Sequence, residues 1–265
     1  MARERVQIKT PEQLRAMRRA GLVVADALDA VRHALRPGVT TADLDAVAER
    51  VIRGAGATPS FLGYYDYPAT LCVSVNDEVV HGIPGERRLQ PGDVVSVDCG
   101  AIVDGWHGDS AFTAVLDPAD PADAELVAAT EDAMWAGIAA LAGAPRTSVV
   151  GAAVEDAVAG RFGIVEEYVG HGIGSAMHQP PDVPNYRSRA RGARVEPGLA
   201  VAVEPMLVRG DPANHELADG WTVVTDDGSR AAHFEHTVAV TADGLWVLTA
   251  RDGGARLGTA PPSDA

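Results

Sequence analysis

The stretch DVVSVDCGAIVDGWHGDSAFTAVL, residues 93–116, consists of two apolar runs joined by one Asp-Gly pair. An Asp-Gly pair between alternating apolar residues favours a β-hairpin with a two-residue turn. With Asp104 and Gly105 in the turn, Asp98 and Asp109 become diagonal neighbours on one face, about 7–8 Å apart between α-carbons. Their direct cross-strand partners are an alanine and a glycine, which leave the space between them open. Like charges repel on such a face, so the hairpin requires either solvent or a bound cation there.

Two further carboxylates fall within apolar strands of the second half of the chain. In GLAVAVEPML, Glu204 shares one strand face with Ala200 and Ala202, and in AAHFEHTVAV, Glu235 lies in the middle of a predicted strand. A glutamate in such a run is seldom buried without a partner, although a single one can guard an exposed sheet edge. Two of them, added to the hairpin aspartates, favour a functional site.

The segment VGHGIGSAMHQPP, residues 169–181, sets His171 and His178 among glycines and before two prolines. Glycine weakens regular structure and the proline pair excludes a continuing helix. We therefore expect both imidazoles on irregular backbone near a strand end, where functional groups concentrate. A single histidine in such a loop is an ordinary polar residue at least as often as a functional one. The interpretation therefore depends on the carboxylates.

The charges of these residues favour a metal centre. The four negative charges of the carboxylates balance the charge of two divalent cations, and a neutral imidazole from His171 completes the ligand set. Sites rich in oxygen with one histidine suit Mn²⁺, Fe²⁺, Co²⁺ or Zn²⁺. Two such ions about 3.5–4 Å apart bridge one water, lower its pKa and stabilise a tetrahedral intermediate. The sequence therefore predicts hydrolytic chemistry.

Two pairs of predicted helices, one in each half, precede the strands. Thr10 and Gln13 form a capping box at the start of the first helix, and Pro37-Gly38 ends it. Matching Thr40 with Thr147 superposes the second helix of one pair on that of the other. The order of elements predicts two related halves, each with two helices followed by antiparallel strands.

Composition excludes several other classes of protein. The 265 residues carry a net charge of −15, which argues against a nucleic-acid partner, because phosphate backbones are bound by clustered Lys and Arg. Two cysteines and a charged N-terminus without an apolar core segment predict a cytoplasmic protein without a disulfide framework or a membrane span. Residues 1–250 are expected to form a single catalytic domain, and the small, polar residues 251–265 a disordered tail.

Five ordered motifs carry a family resemblance: CVSVNDEVVHGIP, VDCGAIVDGWHGDS, GHGIG followed by MH, VEPML and FEHT. In content and spacing they resemble the type I methionine aminopeptidases, from the first helix to about residue 250. The resemblance implies an α+β fold of the pita-bread (creatinase/aminopeptidase) class. In that fold, two pseudo-symmetric halves of helices pack on a curved antiparallel sheet, with the active site between them.

The resemblance also implies the activity and the role of each site residue. It implies a metal-dependent methionyl aminopeptidase that removes the N-terminal methionine when the second residue is small, using a metal-bridged hydroxide at a dinuclear site. The implied ligands of the two metal ions, with Asp109 and Glu235 bridging, are Asp98, Asp109, His171, Glu204 and Glu235. The implied catalytic residues are His81, His178 and Glu204. The implied substrate-binding residues are Tyr64, Tyr67, Cys72, His81, Met177, His178 and Trp221.

Two positions depart from the family pattern. Met177 stands where the family often has an aromatic residue, and Gln179 where it often has Glu. Methionine is flexible enough to line a pocket for a thioether side chain. The departure therefore bears on the shape and affinity of the pocket more than on activity.

Two rival classes share this fold. Prolidases and proline-specific aminopeptidases have the same five ligands, but usually carry an N-terminal domain for which the roughly eighty residues before His81 leave no room. Binding proteins with a dead site typically lose ligands, whereas this chain keeps all five. The expected partners are the N-termini of nascent polypeptides, with the ribosome as a candidate, and we expect a monomer. The residues leave the physiological metal open.

Overall fold

The computed structural model describes residues 5–258. The helices in this range are α1 Pro11–Ala34, α2 Thr41–Gly54, α3 Pro121–Ala140 and α4 Val149–Val158, with short 3₁₀ segments at Tyr64–Asp66 and Ala255–Leu257. The strands of the first half are β1 Thr58–Pro59, β2 Leu71–Val75, β3 Glu78–Val80, β4 Val94–Val103 and β5 Trp106–Val115. Those of the second half are β6 Gly163–Ile164, β7 Gly170–Gly172, β8 Gln179–Val183, β9 Ala200–Val203, β10 Met206–Val208, β11 Asn214–Glu216, β12 Val223–Thr225, β13 Ala231–His233, β14 Glu235–Thr241 and β15 Gly244–Val247.

The first helix begins as the sequence predicts. The Thr10 hydroxyl accepts from the backbone N–H of Gln13, and the Gln13 side chain accepts from the backbone N–H of Thr10. Helix α1 packs along the β4–β5 hairpin, with Gly21 facing Gly108. A β-carbon on Gly108 would lie 2.7 Å from the backbone nitrogen of Gly21, so only glycine allows this approach.

The central sheet joins the two halves of the chain. Its strands run in the order β1-β4-β5-β14-β9-β7-β8, with β2 beside β4 and β15 beside β14. Every pairing among the described strands of this sheet is antiparallel. Two three-stranded sheets, β13-β10-β6 and β11-β12-β3, complete the α+β architecture expected from the sequence. The halves are joined by the β5–β14 pairing in the central sheet and by the β3–β12 pairing in a small one.

The hairpin has the predicted register. Asp98 lies opposite Ala111 and Asp109 opposite Gly100. The turn residue Asp104 has a φ of 52°, in the left-handed region that the first position of a type I′ turn requires. Local sequence therefore determines the relative position of the two aspartates.

Two isolated bridges reveal the relation between the halves. Thr40 bridges Arg88 ahead of α2, and Arg146 bridges Arg194 ahead of α4. These bridges align Thr40 with Arg146, one position away from the match of Thr40 with Thr147. The match rested on residue types along both helices. The first residues of α2 and α4, Thr41 and Val149, are offset by one position in the opposite direction, so the match lies between the two structural alignments.

Residues 251–258, which the sequence assigns to a disordered tail, contact two helices: Arg251 pairs with α1 and Arg256 with α3. The Arg251 guanidinium lies 2.6 Å from an oxygen of Asp26 and 2.7 Å from one of Asp29. The remainder of the predicted tail, residues 259–265, lies outside the described residues. Among residues 5–258, no helix is both long and apolar enough to span a bilayer.

Candidate metal centre and substrate pocket

A cavity of about 340 Å³ opens between the two halves of the molecule. All twelve site residues named from the sequence line it: Tyr64, Tyr67, Cys72, His81, Asp98, Asp109, His171, Met177, His178, Glu204, Trp221 and Glu235. The first half contributes the aspartates and most of the aromatic wall, and the second half contributes both glutamates and two histidines. The cavity therefore brings together residues that are far apart in the chain.

The two glutamates project from strand ends beside the hairpin. Glu204 follows β9, and its carbonyl accepts a hydrogen bond of 3.1 Å from the fully buried amide of Asn185. Glu235 is the first residue of β14, so the prediction that it lies in mid-strand is wrong. The strand breaks at Phe234, and the Ser110 hydroxyl donates to the Glu235 carbonyl at 2.6 Å. That bond fixes Glu235 against the hairpin.

His171 is oriented as a metal ligand needs to be. It lies in the short strand β7, and its Nδ1–H donates to the carbonyl of Gly172 at 3.0 Å. Its Nε2 therefore keeps a lone pair, and it lies 3.3 Å from Oε1 of Glu204. Burial and the neighbouring His178 lower the pKa of His171 to about 3, so the imidazole is neutral.

The four carboxylates repel one another in a buried space. Burial raises the pKa of Asp98 to about 7. It also raises the pKa of Asp109, Glu204 and Glu235 well above the ordinary range, and the other carboxylates of the group add to the effect. Groups in this arrangement are unstable as free anions and favour either protons or a cation.

Unpaired oxygen atoms show that this donor set fits divalent metal. Among the described residues, Oδ1 of Asp98, Oδ1 of Asp109 and Oε1 of Glu235 are buried without a hydrogen-bond partner. Asp109, His171 and Glu235 each offer a ligand atom within 4.8 Å of the others. Hard carboxylate oxygens with one neutral imidazole suit a divalent first-row cation.

His178 and His81 face the cavity beside the carboxylates. Nδ1 of His178 is hydrogen-bonded to the Tyr64 hydroxyl at 2.9 Å, and its ring centre lies 4.3 Å from that of His171. His81 packs edge-on against Tyr168 and has a φ of 62°. A left-handed backbone at a residue other than glycine is uncommon and often marks a functional position. Burial, together with His178, lowers the pKa of His81 to about 4.

An apolar pocket adjoins this polar group. Its buried lining contains Phe61, Tyr67, Cys72 and Met177, with Trp221 packed against them. The Tyr67 hydroxyl donates to backbone carbonyls inside the protein, so the ring presents an apolar face to the pocket. Aromatic rings and sulfur atoms make favourable contacts with a thioether side chain.

One further histidine lies beside the carboxylates and is not among the site residues expected from the sequence. His233 is 2% exposed, and its Nε2 lies 3.9 Å from Oε2 of Glu204 and 4.0 Å from Oε2 of Glu235. In AAHFEHT it precedes Glu235 by two residues. Residues two apart share a face of an extended chain, so this spacing was a signal that could have identified it.

Comparisons with known proteins identify the family to which this chain is similar. The model of metallopeptidase family M24 matches residues 15–242. A methionine aminopeptidase 1 of Mycobacterium tuberculosis is 51% identical over 245 residues, covering 89% of this chain and 92% of that protein. A crystal structure of a methionine aminopeptidase from Thermotoga maritima has a TM-score of 0.90 and 38% identity, covering 92% of this chain and 99% of the other.

A more distant structure bears on the fold alone. A prolidase from Pyrococcus furiosus has a TM-score of 0.73 at 20% identity and covers 92% of this chain but 65% of its own length. The pita-bread fold and the family resemblance inferred from the five motifs are therefore confirmed. The chain belongs to metallopeptidase family M24, as a metal-dependent enzyme of its methionine aminopeptidase branch.

Proposed function

We propose that the protein removes the N-terminal methionine from peptides and nascent proteins whose second residue is small. The observation that carries this proposal is the apolar pocket of aromatic and sulfur side chains directly beside a buried group of four carboxylates. The pocket suits an unbranched thioether side chain, and the carboxylates suit the metal that a peptidase of this family uses. A methionine seated there would have its scissile bond at the polar end of the cavity.

The proposed ligands of two divalent ions are Asp98, Asp109, His171, Glu204 and Glu235. Their four carboxylates balance the charge of two such ions, and Co²⁺, Mn²⁺, Fe²⁺ and Zn²⁺ all suit the donor set. When bound, the pair of ions supplies an activated water as nucleophile and polarises the scissile carbonyl.

The remaining chemistry falls to the protein side chains. When Tyr64 donates to Nδ1 of His178, the imidazole carries its proton on Nε2, which is free to donate to the scissile carbonyl oxygen. We assign Glu204 to proton transfer, because its carboxylate lines the cavity with the other proposed ligands, where the activated water would lie. His81 lines the same cavity and packs edge-on against Tyr168 and Trp221, in position to contact the substrate.

The experiment is a comparison of tripeptides with metal-free protein to which each ion is added in turn. We expect cleavage of Met-Ala-Ser with at least one of the four ions, and little cleavage of Met-Leu-Ser, because the cleft would reject a bulky second residue sterically. Pro-Ala-Ser is the control for the proline-specific rivals. Preference for Pro-Ala-Ser or Met-Leu-Ser would overturn the proposal, and a protein that binds no metal would belong with the non-enzymatic relatives.

A further inference from the structure

His233, the last residue of β13, is buried next to Glu204 and Glu235. It is 2% exposed, and among residues 5–258 its Nε2 has no hydrogen-bond partner. A buried polar nitrogen without a partner costs free energy, so its retention calls for an explanation. The nearest charged groups to this atom are the carboxylates of Glu204 and Glu235.

Each oxygen of Glu204 faces a different imidazole. Its Oε1 lies 3.3 Å from Nε2 of His171, a proposed ligand, whereas its Oε2 lies 3.9 Å from Nε2 of His233. The two oxygens of Glu235 also differ in their surroundings. Its Oε1 has no hydrogen-bond partner, and its Oε2 lies 4.0 Å from the same nitrogen of His233. One nitrogen thus faces Oε2 of each glutamate, while Oε1 of Glu204 faces His171 and Oε1 of Glu235 has no hydrogen-bond partner.

The backbone holds the imidazole in this place. The Thr113 hydroxyl accepts from the His233 N–H at 2.9 Å and donates to the His233 carbonyl at 2.7 Å. His233 also pairs with Met206 across β13 and β10. Because Thr113 belongs to β5, the same strand that carries Asp109, the hairpin sets the position of His233 relative to the whole ligand group.

We propose that His233 is a positioning residue, whose Nε2–H orients the carboxylates of Glu204 and Glu235 for metal binding. This inference rests on the proposed function, since it takes both glutamates as ligands. The distances of 3.9 and 4.0 Å from Nε2 of His233 to the two Oε2 atoms exceed the length of a hydrogen bond. A small rotation of either carboxylate would bring its Oε2 within hydrogen-bond distance of that nitrogen. Outer partners of this kind typically change metal affinity by about 10–100-fold when they are removed.

The test measures binding of Co²⁺ alone to the metal-free full-length protein, without reference to activity. His233→Leu removes the donor and roughly keeps the volume, whereas His233→Gln keeps an N–H donor on a side chain of similar reach. We expect the Leu variant to bind Co²⁺ about 10–100-fold more weakly than wild type. We expect the Gln variant to bind nearly as tightly as wild type, with an unchanged visible spectrum of the bound Co²⁺.

Controls separate folding and surface effects from the proposed role. Circular dichroism of the metal-free variants checks folding, and His233→Met replaces the Leu variant if leucine overpacks the site. His215→Ala removes an exposed imidazole, paired with Asp226 at 2.6 Å, and sets the baseline for a loss outside the site.

Two results would overturn the positioning role. The first is an affinity of the Leu variant equal to that of wild type. The second is a Gln variant as weak as the Leu variant, and an altered Co²⁺ spectrum would then identify His233 as a ligand itself. Wild-type protein that binds none of Co²⁺, Mn²⁺, Fe²⁺ and Zn²⁺ would instead overturn the proposed function, so the two failures are distinguishable.

Discussion

The two halves of the molecule build their shares of the site in different ways. The first half presents Asp98 and Asp109 from strands of ten residues each, joined by a tight turn. The second half presents His171 from a three-residue strand and its two glutamates from strand ends. One share is a regular hairpin, and the other is assembled from short, interrupted pieces.

The difference shows that residues of the hairpin fix the backbone of the second half at the site. The Asp109 N–H donates to the Thr237 hydroxyl at 3.0 Å, and that hydroxyl donates to the Asp109 carbonyl at 2.8 Å. Ser110 likewise holds the backbone of Glu235. The interrupted strands of the second half therefore take their position from the first half, and we expect the cation to complete the connection.

Metal removal should have the largest effect, because the proposed nucleophile and the balance of four carboxylates both depend on the cations. We expect excess chelator to abolish peptidase activity and a divalent transition metal to restore it. The measurement is the rate of Met-Ala-Ser cleavage against metal content by elemental analysis. Full activity of metal-free protein in excess chelator would contradict both the metal assignment and the view that the two halves meet at a cation.

Replacing His171 and His178, one at a time, should have different effects, because one is a proposed metal ligand and the other a proposed hydrogen-bond donor to the transition state. His178→Ala should lower kcat by about 10²–10³-fold while keeping near-normal metal content, and added metal should not rescue it. His171→Ala should lower metal affinity, with partial recovery of activity at high metal concentration. The measurements are metal stoichiometry and kcat for both variants, with circular dichroism as the control for folding.

Equal behaviour of these two variants would point to a purely structural role for the segment. Loss of metal from His178→Ala, or an unchanged kcat, would remove His178 from the proposed reaction.

Gly172→Ala should disturb the second half locally. Its β-carbon would lie 2.2 Å from the Pro180 carbonyl oxygen, so the backbone beside His171 must move. We expect a loss of about 1–3 kcal/mol in the free energy of unfolding, as for other overpacked sites, together with weaker metal binding. Urea unfolding and Co²⁺ titration measure the two effects. Unchanged metal affinity would mean that β7 does not control the position of His171.

Gly105→Ala is the matched change in the first half and should have the smallest effect. A β-carbon there meets nothing within 4 Å, but the φ of 79° is costly for alanine, by about 1 kcal/mol. The same unfolding and titration experiments apply. We expect metal affinity equal to wild type, because the ten-residue strands hold the register without help from the turn. A loss of Co²⁺ affinity as large as that of Gly172→Ala would show that the two halves do not differ in how firmly they hold their ligands.

Local patterns predicted the parts that depend on near neighbours in sequence. The capping box of Thr10 and Gln13 and the register that aligns Asp98 with Ala111 are as expected. The position of Glu235 at the start of β14 was not predictable, because a break at Phe234 interrupts a pattern that otherwise continues. The position of His233 was not predictable from its apolar neighbours either, because a histidine in an apolar run is usually an ordinary core residue.

The sequence by itself determined the helices, the hairpin and the residue types of the metal centre, since 3.6-residue and two-residue periods, caps and turns are encoded over short stretches. Only the tertiary structure decided that Glu235 stands beside Asp109, that His233 faces both glutamates, and that an apolar pocket adjoins them. The Ser110 hydroxyl that fixes Glu235 bonds across 125 positions of the chain. Such pairings depend on how the two halves pack, because no local period extends over that distance.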